Sequence, residues 1–71
     1  MEEVEKIVEG LSEEEKKELD KYIKQELLKS YSELFGVYDE HGLQIATAYY
    51  PPSEDWIKEI AQEWLKKKGY L

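Results

Sequence analysis

Three residue types are missing from this chain, and each absence excludes something. Without cysteine there is neither a disulfide framework nor a thiolate metal site. Without arginine and asparagine, all ten basic residues are lysine. Glycines number four and lie far apart, so no phosphate-cradling loop is encoded. No apolar run approaches the roughly 20 residues needed to span a bilayer. The first ten residues alternate charges with aliphatics rather than opening on a basic stretch and an apolar run, so no secretory leader is expected. A soluble protein without a membrane partner is the expectation.

What is present is a strongly acidic chain of 71 residues, enough for one domain with a thin core. Its net charge of -7 is uneven: residues 1–20 hold nine acids against three lysines, while residues 41–71 balance. No basic footprint exists for nucleic acid. An acidic patch suits a basic partner, although a solvated helix face is the plainer reading.

Periodicity and capping signals divide the chain. Val4, Ile7, Val8 and Leu11 have helical spacing, so a short helix is expected over 2–9, with Gly10 as a left-handed stop. Ser12 and Glu15 form a capping box, and Leu19, Tyr22, Ile23, Leu27, Leu28, Tyr31, Leu34 and Phe35 continue a buried stripe, so a helix is expected over 13–35, ending at Gly36. That helix would be about 35 Å long at 1.5 Å per residue, longer than a compact body of this size, so it must overhang or break, with Ser30 and Ser32 its weakest place. Residues 36–50 read as a β-hairpin: Asp39 and Gly42 fit the first and fourth positions of a type I turn, and Leu43, Ile45, Thr47 and Tyr49 alternate with Gln44, Ala46, Ala48 and Tyr50. Pro51-Pro52 stops the run, Ser53 caps a helix expected over 54–68, and Gly69 closes it. The order implies an α+β domain, mostly helical, with helices packed on one face of a two-stranded hairpin.

Little in this sequence carries catalysis. His41, the single histidine, sits beside Asp39 and Glu40 without a second His or Cys to complete a metal set. Ser12 and Ser53 are accounted for as caps, and Ser30 and Ser32 have no histidine near them in sequence. No enzyme activity, cofactor or metal is expected. The aromatics are the richer signal: nine of 71 residues, six of them Tyr. Tyr is large, rigid and amphipathic, which suits an interface. Tyr31, Tyr38, Tyr49 and Tyr50 gather around the expected hairpin. Together with Leu43, Ile45 and the open edge of the second strand they make a candidate protein-binding surface, against the plainer reading of core packing in a thin domain. That edge also allows a weak homodimer beside the monomer.

Two resemblances rest on these residues. Ser12-Glu13-Glu14-Glu15-Lys16-Lys17-Glu18-Leu19, Pro52-Ser53-Glu54-Asp55-Trp56-Ile57-Lys58-Glu59-Ile60 and Leu65-Lys66-Lys67-Lys68-Gly69-Tyr70 resemble the helices of computationally designed mini-proteins, with caps, dipole charges and Lys/Glu surfaces. That likeness covers about two thirds of the chain and implies high stability. Tyr49-Tyr50-Pro51, Trp64 and Gly69-Tyr70 resemble, over some twenty residues, the immunity proteins that inhibit DNase colicins. That resemblance implies Tyr49 and Tyr50 as a toxin-binding pair, but the alternating run before them stands where that family has a short helix, and the spacing to the last helix is shorter. The functional expectation is a design-like protein-binding module. The alternatives are a designed fold without biological function and an acidic inhibitor of a nuclease or other basic protein.

Overall fold

The computed structural model describes residues 3–71, so the expected helix start at Glu2 lies outside it. Four helices follow one another: α1 (Glu3–Glu9), α2 (Glu13–Phe35), α3 (Glu40–Tyr49) and α4 (Glu54–Lys68). Among the described residues there is no strand.

Three of the helices arise where local signals place them. The Ser12 hydroxyl accepts the Glu15 backbone N–H and the Glu15 carboxylate accepts the Ser12 backbone N–H, which satisfies two orphan donors at the start of α2. Ser53 caps α4 by accepting the Trp56 N–H at 3.1 Å. Gly36 and Gly69 end α2 and α4 with φ of 70° and 87°, a conformation other residues enter at a cost. Gly10 differs from expectation, because it is not left-handed. Its N–H instead bonds back to the Lys6 and Ile7 carbonyls, and Leu11 N–H to Val8, in a right-handed turn that buries Leu11 before the Ser12 cap.

The hairpin expected over 36–50 is overturned, and with it the α+β class: the described chain is all-helical. Asp39-x-x-Gly42 fits a type I turn and a helix N-terminus alike, since the first turn of a helix is a type I turn continued. Here Asp39 is the N-cap, its carboxylate accepting the Gly42 N–H at 2.7 Å and its carbonyl the Leu43 N–H at 2.9 Å. Burial then follows helical spacing, with Leu43 buried and Gly42, Ala46 and Thr47 half-buried, while Ile45 and Tyr49 face out. The first hairpin arm was the weak link. In that arm only residues 36–38 precede Asp39, too few to pair with the eight from Leu43 to Tyr50, and an unpaired strand leaves backbone groups without partners that a helix satisfies internally. Pro51 then forces its predecessor off the helix, and Tyr50 sits at φ -131°, ψ 74°.

The core has two lobes. Val4, Leu11, Leu19, Ala61, Trp64 and Leu65 form one, and Leu27, Tyr31, Leu43 and Ile60 the other. Tyr22 and Ile23 pack against both, and α4 crosses both by contributing Ile60 to one and Leu65 to the other. α4 runs antiparallel to α2: Lys68 pairs with Glu18 at 3.2 Å near the start of α2, and Trp56 stacks on Tyr31 near its end. α2 is continuous through Ser30 and Ser32, and the body measures 34 × 23 × 18 Å. Of the two outcomes open to so long a helix, it overhangs: Leu34 in its last turn is 71% exposed.

At the opposite end the C-terminus is clasped. Gly69 N–H to Lys66 and Tyr70 N–H to Leu65 close α4 as a Schellman turn, and the Tyr70 hydroxyl donates to the Glu15 carboxylate. Lys67 Nζ lies 3.3 Å from the Tyr22 oxygen and 5.1 Å from its ring centre, so the hydroxyl is the partner rather than the ring face. The Tyr70 hydrogen bond, then the Ser12 N–H, hold Glu15 below the usual carboxylate range, and the same carboxylate holds the Tyr70 phenol above its own. A lowered folded-state pKa means a contribution that is complete above the unfolded value, about 4.3 for Glu, and lost as pH falls through the folded value. Melting curves of the parent and Glu15→Gln should therefore converge as pH drops below that value. Parallel curves across the acid limb would show that the clasp contributes nothing.

Candidate functional site

The overhang of α2, the 36–39 connection and the end of α3 meet at one end of the molecule. A ladder of rings is built there from the core outward. Trp56, on the first turn of α4, stacks on Tyr31 with centroids 5.9 Å apart and planes at 10°. Tyr31 touches Phe35 one turn on, at 5.5 Å and 45°. Phe35 in turn stacks on Tyr50 at 4.7 Å and 11°. All three separations fall in the range of favourable ring contacts, each contributing about 0.5–1.5 kcal/mol beyond area burial. The Tyr31 hydroxyl donates to the Tyr50 carbonyl, which ties the end of α3 to α2.

The residues singled out from sequence divide at this ladder. Tyr31 and Leu43 are core residues, 3% and 7% exposed, and support the surface rather than form it. Tyr38, Tyr49 and Tyr50 are 87%, 77% and 59% exposed. Ile45, half exposed, shares a face of α3 with Tyr49 four residues later. The strand edge offered as the second half of the surface does not exist, because those backbone groups are spent inside α3, and a homodimer through such an edge falls with it. Leu34 and Phe35 belong to this surface too. Sequence periodicity assigned both to a buried face, and the only clue otherwise was that α2 outruns the body.

Elsewhere the chemistry is sparse. An open groove of about 330 Å³ between α2 and α3 is floored by Leu27, Leu43 and Pro52. Among the described residues no three His, Cys, Asp or Glu side chains are placed to hold a metal ion, and no buried side-chain polar atom lacks a partner. His41 stands exposed in the first turn of α3. No helix among the described residues is long and apolar enough to cross a membrane.

The chain has no significant match among protein-family models, curated proteins or solved structures.

Proposed function

We propose that this chain is a design-like mini-protein that acts as a protein-binding module, with the exposed aromatic end as its contact surface. One observation carries this reading. Among the described residues, six of the eight exposed large hydrophobic side chains fall between Leu34 and Tyr50, although the segment makes up a quarter of the chain. Scattered exposed apolar side chains need no explanation, whereas a concentration of them on a small protein marks an interaction site. The ladder beneath supports the reading, since Phe35 rests on the buried ring of Tyr31 and Tyr50 stacks on Phe35, so both lose little freedom when a partner covers them.

A partner selected from a display library gives the test. Tyr50→Ala should weaken its binding by about 2 kcal/mol or more, roughly 30-fold. Its melting temperature should fall by only a few degrees, because the ring is 59% exposed and loses little beyond its stack on Phe35. Leu71→Ala, at the clasped end, should leave binding unchanged. Equal loss in both variants, or a fall in stability with unchanged binding for Tyr50→Ala, would reduce the tyrosine to a packing residue.

A further inference from the structure

The helix ends at the aromatic surface are electrically unbalanced. A helix C-terminus carries partial negative charge on its last carbonyls, which Lys or Arg in the last turn ordinarily offsets. α4 follows that rule with Lys66, Lys67 and Lys68. α2 and α3 have no basic residue in their last turns. Each is closed by a single backbone bond, Gly36 N–H to Ser32 and Tyr50 N–H to Ala46. The carbonyls of Glu33, Leu34 and Phe35 on α2 therefore have no backbone donor, nor do those of Thr47, Ala48 and Tyr49 on α3. The Phe35–Tyr50 stack sets these two ends side by side.

No lysine occurs in the sequence between Lys29 and Lys58, while Glu33, Asp39, Glu40, Glu54 and Asp55 all lie in that interval. The positive N-terminus of α4 reaches the same end of the molecule, but Ser53, Glu54 and Asp55 already offset it. A second copy of this chain would bring the same uncompensated ends and carboxylates, so self-association through this face is disfavoured.

We infer that the aromatic end receives an arginine-bearing segment of a protein partner. A guanidinium is planar, stacks on exposed rings and donates to several carbonyl or carboxylate oxygens at once. Phe35, Tyr38, Tyr49 and Tyr50 supply ring faces, and the bare carbonyls of α2 and α3 with Glu33 supply acceptors. This inference rests on the proposed binding surface and adds the chemistry of its occupant. It is local: the acidic stretch of residues 3–20 lies toward the other end and takes no part.

Short peptides of alternating arginine and serine, with lysine and glutamate counterparts, are the probes, read by amide shifts of the isotope-labelled protein. The arginine peptide should shift residues 33–36 and 49–50 saturably and bind more tightly than the lysine peptide. Leu34→Lys places the missing cation at the end of α2 and should weaken binding a few-fold further than Leu34→Gln, which removes the same leucine without adding a charge. Leu34 is 71% exposed, so both variants should fold, and circular dichroism checks that they do. Equal shifts over residues 3–20 would make the attraction a bulk one and overturn the inference, as would no binding at residues 33–36 and 49–50. Binding of an uncharged aromatic peptide there, without the arginine peptide, would also overturn it while leaving the proposed surface in place. Should Tyr50→Ala in addition leave a selected partner's affinity unchanged, that surface falls as well.

Discussion

Replacing Leu65 by alanine is expected to cost about 3 kcal/mol or more and to lower the melting temperature by roughly 12–24 °C. Among the described residues Leu65 is the one large side chain with no exposure at all, in the lobe formed with Val4, Leu11, Leu19 and Trp64. Removing its branched end leaves a void bordered by three helices that α2 and α4 hold at fixed separation, so little collapse is available to fill it. The consequence extends to α1. Seven residues are too few for an independent helix, and the main docking of α1 is against α4. Hydrogen exchange should show α1 amides losing protection first, well before those of α2. For a domain of this size the total stability is about 4–10 kcal/mol, so the change takes a large share of it. Leu71→Ala, near the surface, should shift the melting point by a few degrees at most. A Leu65→Ala variant that melted within a few degrees of the parent would mean that this lobe is not packed as described.

Ala48→Pro is the second large effect and the sharper test of the fold. Ala48 is exposed, so the substitution disturbs almost nothing but backbone. Within α3 a proline there removes the bond to the Gln44 carbonyl and sets its ring against it, at a cost of about 3 kcal/mol or more. On the outer face of a hairpin strand with no neighbour, the same proline would be tolerated. Ala48→Gly should cost about 1 kcal/mol by weakening the helix alone. Loss of α3 would also uncover Leu43 and unseat Tyr49 and Tyr50, so affinity for a selected partner should disappear together with the helical signal. A stable, fully binding Ala48→Pro protein would contradict α3.

Two of the expectations that changed on going from sequence to structure have the same origin. Leu43, Ile45, Thr47 and Tyr49 alternate like a strand, yet Leu43, Ala46 and Thr47 also repeat like a helix, and ten residues are too few for one period to exclude the other. Leu34 and Phe35 continue the apolar stripe of α2 without a break, and periodicity alone does not say where the partner surface stops. The same limit governs the candidate site. Tyr38, Tyr49 and Tyr50 were singled out from their chemistry as candidate contact residues, and all three are exposed. That Tyr31 is buried beneath them and that Phe35 joins them depended on where α3 and α4 come to rest.

The amino-acid sequence by itself determined the absence of cysteine chemistry, the acidic character and the bounds of α2 and α4. Those bounds are set by Ser12 with Glu15, Gly36, Ser53 and Gly69, whose effects act on backbone groups within one turn of themselves. Only the tertiary structure decided the fate of residues 36–50 and the face the aromatics turn to water. Asp39 starts a strand turn or a helix equally well, and the outcome depended on whether a partner strand existed or whether α2 offered a surface to cover Leu43. With only residues 36–38 between the end of α2 and Asp39, no strand partner of sufficient length existed, and the helix was the conformation that satisfied its own backbone while burying that leucine.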